Sequence, residues 1–337
     1  VELDDTMRIV PKRYELRSVI GRGTTGTVYH AQDQQEKRDV TVKVLRTSYV
    51  REHVSPERWL KEVQVLKKLK HDNIAKVYDA LLEGGRCILI TESLSGRSVH
   101  RMLKDDGAIT PERAVEILSP VCEALTYAHG EGVVHLDVMP SNLFLRDGGK
   151  IALMDFRTGR AQKGRHVTVK KGSEGFQAPE LLAGTGGNER TDVYSLGATL
   201  YYMMTGHVPV GSFPRLGEAK PSAKRFDRLV GRSMRAVPEE RPQSTEEFNK
   251  HLIGSGEEIA LPDNEDDLMG WIEVYTFQPD NLRAKEVLGK LEAGYRDAKD
   301  WENLIALLLS QVEAEPSRDG RVRKLRELAR IFETEVG

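Results

Sequence analysis

Asp137 and Asn142 stand five residues apart in His135-Leu-Asp-Val-Met-Pro-Ser-Asn142, and a short apolar run, Leu143-Phe-Leu145, follows at once. An Asp on such a loop can accept the proton of an attacking hydroxyl. An Asn amide oxygen beside it can hold Mg²⁺ against phosphates, so the spacing suits phosphoryl transfer. Thirteen residues beyond Asn142, Asp155 in Asp155-Phe-Arg157 offers a second oxygen ligand for a metal. Nearer the N-terminus, Gly21, Gly23 and Gly26 are spaced so that the backbone can fold tightly over phosphates and turn N–H groups toward them. Alone this glycine pattern is weak, because dinucleotide-binding folds share it and many Gly-rich turns bind nothing. Lys43 closes the alternating run Val40-Thr-Val-Lys43. By residue type it is either a phosphate ligand or a solvated strand lysine.

These groups need elements to carry them. Residues 14–45 read as strand, turn, strand, turn, strand. The glycine motif therefore lies between two strands, with no helix after it. Ser55-Pro-Glu57 opens a helix with a cap residue, Pro at its first position and an acid in its first turn. Its apolar positions Trp59, Val63, Leu66 and Leu69 recur at helical spacing, with Glu62 off that stripe. Cys87-Ile-Leu-Ile90 reads as a buried strand ending at Thr91-Glu92-Ser-Leu94. Thr110-Pro-Glu-Arg begins a long amphipathic helix through Ala114, Ile117, Leu118, Val121, Leu125, Ala128 and His129.

The order and spacing of these motifs resemble the protein kinases. The family pattern is His-Arg-Asp-Leu-Lys-Pro-x-Asn followed by Asp-Phe-Gly, with a Gly-rich loop and a Val-Ala-Ile-Lys strand upstream. The resemblance covers about residues 13–253 and implies a bilobal α+β fold. A small β-rich lobe would span 13–94 and a large helical lobe 95–253, after an N-terminal extension at 1–12. It implies ATP and Mg²⁺, with Asp137 as base, Asn142 and Asp155 on metal, and Lys43 on the α/β-phosphates, paired with Glu62. Gly21, Gly23, Gly26, Val28, Thr41 and Phe144 would surround the nucleotide. Thr91 would be the gatekeeper, and the backbone at Glu92 and Leu94 would meet adenine. Leu66, Val77, His135 and Phe156 fall where the family stacks an apolar spine. Glu180 is expected to pair with Arg241, and Asp192 to bond the catalytic-loop backbone. The compact loops look like the bacterial Ser/Thr kinases of the eukaryotic type.

Three positions depart from the family pattern. Leu136 replaces the Arg that clamps an activation-loop phosphate, so control through Thr158, Thr168 or Ser173 loses its usual receptor. Met139 replaces a Lys that neutralises charge developing on the γ-phosphate, and a thioether cannot do so. Arg157 replaces the Gly of Asp-Phe-Gly. It either points to solvent or returns some of the positive charge lost at Met139. The segment from 157 to 171 is rich in Arg and Lys, which suits a solvated loop or a strip for an acidic or phosphorylated peptide. Gly172-Ser-Glu-Gly-Phe-Gln-Ala-Pro-Glu180 resembles the Ser/Thr-kinase ending. It argues against a small-molecule kinase. A Ser/Thr protein kinase of weakened turnover and a nucleotide-binding pseudokinase that works as a scaffold or allosteric partner both stay open.

Residues 254–263 read as a polar, acidic linker, and 264–337 as helices at about 264–277, 281–297, 300–314 and 320–335. Prolines 37 residues apart give that segment a loose resemblance to tetratricopeptide hairpins, an all-α repeat that would offer a peptide-binding surface or pack on the kinase lobe. Lys+Arg 50 against Asp+Glu 52 leaves a net charge of −2, which argues neither for nor against nucleic acid, and no motif calls for it. The expected partner is a protein, as substrate or in signalling. Cys87 and Cys122 lack metal-ligand spacing and fit a reduced, cytoplasmic protein. No apolar run reaches the roughly 18–20 residues of a membrane span. The first residue is Val, not Met, as in a piece of a longer chain.

Overall fold

The computed structural model describes residues 10–23, 25–48, 50, 55–156, 174–254, 261–277, 281–314 and 318–336. It divides into two compact units, Val1–Ser255 and Gly256–Gly337. Arg157, Thr158, Thr168, Ser173 and the basic run between them lie outside the described residues.

In the first unit, strands β1 (Tyr14–Arg22), β2 (Gly26–Asp33), β3 (Arg38–Leu45), β4 (Val77–Glu83) and β5 (Arg86–Glu92) form an antiparallel sheet in the order β1-β2-β3-β5-β4. Alternation decides its faces. Val40, Val42 and Val44 are buried with Tyr29, Ala31, Ile88 and Ile90, and Val10 joins this core, so the expected N-terminal extension contributes to the small lobe. Thr41 and Lys43 point the other way, Thr41 opposite Thr91 and Lys43 opposite both Val28 and Leu89. Val28, Thr41, Lys43 and Thr91 thus share one face. The β1–β2 turn closes through the Gly23 N–H on Gly26 O at 2.9 Å. A Cβ on Gly26 would stand 2.2 Å from Val44 O, so this glycine is what allows β2 to lie close on β3.

Helix α1 (Pro56–Leu66) starts at Pro and buries Trp59, Val63 and Leu66 as its spacing predicts. Ser55 sits at the cap position with extended backbone, but its hydroxyl meets the Glu57 carboxylate at 3.4 Å and caps no backbone N–H. Donation to the carboxylate two residues on turns the hydroxyl away from the backbone N–H groups it would cap.

The large lobe holds β6 (Gly96–Ser98), α2 (Val99–Asp106), α3 (Pro111–Gly130), the hairpin β7 (Leu143–Arg146) and β8 (Ile151–Leu153), α4 (Pro179–Leu182), α5 (Glu189–Thr205), α6 (Leu216–Ala219), α7 (Asp227–Ser233) and α8 (Thr245–Ile253). Helix α3 is capped by Thr110 Oγ1 on the Arg113 N–H, and it buries the apolar stripe read from sequence. Helix α5 opens with a capping box between Asn188 and Thr191 and is buried on nearly every side. Leu118, Leu125, Leu196, Leu200, Phe248 and Leu252 join α3, α5 and α8 in one core. The small lobe is stitched to the β7–β8 hairpin. Ala75 N–H donates to Leu153 O at 2.9 Å, Leu153 N–H to Asn73 O at 2.7 Å, and Asn73 Nδ2 to Ile151 O at 2.7 Å.

The second unit consists of α9 (Leu268–Phe277), α10 (Leu282–Ala298), α11 (Trp301–Ala314) and α12 (Arg318–Ile331). Helix α9 packs on both α10 and α11, and α11 packs on α12. Trp271, Val274, Val287 and Leu307 form one core, and Leu304, Leu308, Leu328 and Ile331 another. The first of these helices begins at 268, not 264. Asp267 Oδ1 accepts the Gly270 N–H at 2.9 Å and Trp271 Nε1 donates to Asn264 O at 2.9 Å, which holds 264–267 as a turn.

Candidate functional site

The loop carrying Asp137 is held from beneath by Asp192, a fully buried carboxylate on α5. Asp192 Oδ2 accepts the His135 N–H at 2.8 Å and Oδ1 the Leu136 N–H at 2.7 Å. His129 Nε2 completes the set at 2.8 Å from Oδ2. These bonds hold Leu136 at φ 63°, a left-handed conformation that costs an ordinary residue about 1–2 kcal/mol. The sequence placed Asp192 on the loop backbone; it gave His129 only a core position. Nothing local marks a helical His as a second donor to an Asp 63 residues away.

The loop then brings Asp137 and Asn142 together. Asn142 Nδ2 donates to Asp137 O at 2.7 Å and to Asp137 Oδ2 at 3.1 Å, which turns the amide oxygen away from the carboxylate. Both residues are buried. His135 Nδ1 accepts the Asp137 N–H at 3.1 Å, so its Nε2 carries the proton that meets Met154 O at 3.1 Å. Burial holds the His135 pKa below its ordinary 6.5, in keeping with a neutral ring used as a spacer. Its ring lies 4.4 Å from that of Phe156, and Leu66, Val77 and Phe156 belong to the large-lobe core or pack on it.

Asp155 adopts φ 61°, which Asp tolerates better than most residues, and its Oδ1 lies 2.8 Å from Lys43 Nζ. Glu62 Oε1 takes Arg58 Nε at 3.0 Å along α1. Lys43 thus meets the metal-side carboxylate and Glu62 meets its helix neighbour Arg58, where the resemblance implied Lys43 with Glu62. Asn142 and Asp155 supply one amide and one carboxylate oxygen. Among the described residues no cluster of three or more His, Cys, Asp or Glu is placed to hold a metal. Such a sparse oxygen set fits Mg²⁺, which keeps waters and completes its shell with substrate phosphates.

Thr91 ends the sheet face shared by Val28, Thr41 and Lys43. Glu92 N–H is committed to Lys76 O at 2.8 Å, leaving its carbonyl as the backbone group it can offer a base. Ser93 and Leu94 connect to β6, which pairs with β7. On β7, Leu143 is buried and Phe144 is half-buried, opposite Ser98 and Ala152. Leu136 is buried and lines a cavity of about 610 Å³ whose wall mixes Val65, Leu66, Val133 and Val134 with Arg58, Lys61, Glu62 and Glu189; its own side chain brings no cation. Met139 is half-exposed on extended backbone, φ −161°, and its carbonyl accepts the Asn142 N–H at 2.8 Å.

The brace predicted between Glu180 and Arg241 is present as a bidentate pair at 2.7 and 2.8 Å. Arg241 is fully buried and spends its other bonds on the carbonyls of Arg235, Arg190 and Ala236. Burial pushes the Glu180 carboxyl up, but the Arg241 guanidinium outweighs it, and the pKa lies below its ordinary 4.5. Arg146 had no part in the sequence reading, yet it reaches Glu92 across the lobes at 2.7 Å.

Comparison with known proteins agrees with this geometry. The sequence profile of the protein kinase domain matches residues 14–255. Serine/threonine-protein kinase PknB of Mycolicibacterium smegmatis is 32% identical over 265 residues, which is 72% of this chain and 42% of that protein. Serine/threonine-protein kinase PknL of Mycobacterium tuberculosis is 29% identical over 273 residues, 76% of this chain and 68% of that one. The chain thus spans less than half the length of the PknB relative. The crystal structure of the Mycobacterium tuberculosis PknI kinase domain aligns with a TM-score of 0.64 at 25% identity, covering 73% of this chain and 97% of that one. With its bilobal fold, its Asp137–Asn142 loop and a family match over 14–255, the chain belongs to the protein kinase domain family.

Proposed function

We propose that this chain is a Ser/Thr protein kinase that binds Mg-ATP and turns over slowly. The observation that carries the reading is the Asp137–Asn142 pair, set on a loop fixed by Asp192, with Lys43 and Asp155 paired beside it. In transfer, the substrate hydroxyl oxygen forms a bond to the γ-phosphorus as the bond to the departing ADP oxygen breaks. The hydroxyl proton passes to the Asp137 carboxylate. Mg²⁺, held by Asn142 and Asp155, would neutralise phosphate charge. Lys43 is placed to leave Asp155 for the α/β-phosphates. What slows the chain is Met139, which leaves the γ-phosphate without a cation that this family places there.

The second reading is a nucleotide-binding pseudokinase, and the same Met139 favours it. The deciding assay follows label from γ-labelled ATP onto protein with Mg²⁺, beside nucleotide-dependent thermal shift. Transfer that Asp137→Asn abolishes supports the kinase. A Mg-dependent shift without transfer supports the pseudokinase, and neither signal defeats both.

The helices of the second unit pair in sequence as tetratricopeptide hairpins do, and we read them as a surface for a substrate or signalling protein. Among the described residues no helix is long and apolar enough to cross a membrane. Cys87 and Cys122 are free and buried, and we place this chain on the cytoplasmic side.

A further inference from the structure

Arg146 ends β7 in the large lobe, but its guanidinium serves the connector between the lobes. Nη1 donates to Glu92 Oε1 at 2.7 Å and Nη2 to Oε2 at 3.2 Å. Glu92 is the last residue of β5, and its Oε2 also accepts the Lys76 N–H at 3.2 Å. One carboxylate therefore ties together the end of β5, the approach to β4 and the edge of β7. The pair is substantially shielded, with side-chain exposures of 26% and 19%. Burial raises the Glu92 carboxyl, the Arg146 and Lys76 donors outweigh it, and the net shift is downward.

The other end of the connector is held to the same hairpin by backbone. Gly96 pairs with Arg146, and a Cβ there would come 2.1 Å from Leu145 O. The Asp147 N–H donates to Ser95 O at 3.0 Å. Ser93 and Leu94 thus run between two fixed points; at the first, the Glu92 backbone is held on Lys76 and its side chain is held by Arg146.

We infer that Arg146 is a positioning residue for the purine: by clamping Glu92 it sets the path of Glu92–Leu94, whose backbone meets the adenine edge. This rests on the nucleotide reading above. The bonds that align the base are backbone bonds, so a small shift of the connector costs them without touching the phosphate groups at Lys43 and the glycine turn. A rivet that merely stabilised the fold would affect base and phosphate binding alike.

The test is calorimetric titration of the full chain with Mg-ATP, Mg-GTP and Mg-tripolyphosphate, using Arg146→Gln, Glu92→Gln and the double variant. Arg146→Gln is expected to weaken Mg-ATP about tenfold, the size of one charge-assisted hydrogen bond. It should narrow the preference for ATP over GTP and leave Mg-tripolyphosphate within about twofold, a bound set by the same principle. The double variant should bind no worse than either single one, because both remove one interaction. Should Arg146→Gln not fold, Arg146→Lys keeps the charge but loses the fork, and a loss confined to Mg-ATP is again expected. Equal losses for ATP and tripolyphosphate, or no loss for ATP, overturn the inference while leaving the functional reading intact. Failure of the unaltered chain to bind Mg-ATP overturns both.

Discussion

Replacing Met139 by Lys should raise the rate of phosphoryl transfer by about 10²–10³, a barrier change of about 3–4 kcal/mol. Met139 follows Asp137 by two residues, so their Cα atoms are at most about 7 Å apart. A lysine stem adds reach of ~6 Å, enough to bring its ammonium to a phosphate whose acceptor hydroxyl is on Asp137. At 4 Å and an effective dielectric near 20, one unit charge on another is worth about 4 kcal/mol, which agrees with that barrier change. Met139 is half-exposed, and the loop is fixed by backbone bonds at Met139 O and at Asp192, so the exchange should leave the loop in place. The assay is initial-rate transfer of labelled γ-phosphate to a generic basic protein at saturating Mg-ATP. The added cation acts on charge that develops only in the transition state, so kcat should rise while KM for ATP moves little. A rate that stays within about threefold, where the electrostatic principle demands a hundredfold, would refute the reasoning, provided Asp137→Asn still abolishes the signal.

Asp192→Asn leaves one carbonyl oxygen to serve three donors and turns an NH₂ toward them, which should cost about 3 kcal/mol or more. In a domain of this size that lowers Tm by about 6–12 °C, and kcat should fall further than the folded fraction does. Arg241→Met leaves the half-buried Glu180 unpaired beside empty carbonyls and should destabilise by about 3 kcal/mol in urea unfolding. Because the folded Glu180 pKa lies below its ordinary 4.5, the contribution of the pair is complete above that value and is lost as pH falls through the lower one. The gap between Arg241→Met and the unaltered chain should therefore close on acidification below about pH 4.5, and a gap that widens there would contradict the pairing.

Alternation in Val40-Thr-Val-Lys43 alone put Thr41 and Lys43 on the face opposite the core, and the strand pairing then brought Val28 and Thr91 to them. The arrangement of the loop was legible because Asp137 and Asn142 lie close in sequence, and the fold brings their side chains to 3.1 Å. Pairings between distant elements left no such mark. Nothing near Arg146 in sequence points to Glu92, and the Lys43 partner depends on which carboxylate the folded chain brings within 2.8 Å. Local competition also escaped the pattern. Ser55 gave its hydroxyl to Glu57, and Asp267 moved the start of α9 by capping Gly270.

Two of the three departures from the family, Leu136 and Met139, fall in one physical class. Groups that set geometry are present: Asp192 under the loop, Asn142 on Asp137, His135 against Phe156, and Arg241 on Glu180. Two described positions at which the family carries a cation, Leu136 and Met139, are apolar. Loss of geometry removes a reaction path, whereas loss of one cation raises a barrier by a few kcal/mol and leaves the path open. A chain that keeps the first class and drops the second should bind nucleotide normally and transfer phosphate slowly. That separates it from a scaffold that has lost its metal ligands, and it makes residue 139 a decisive place to ask which one this is.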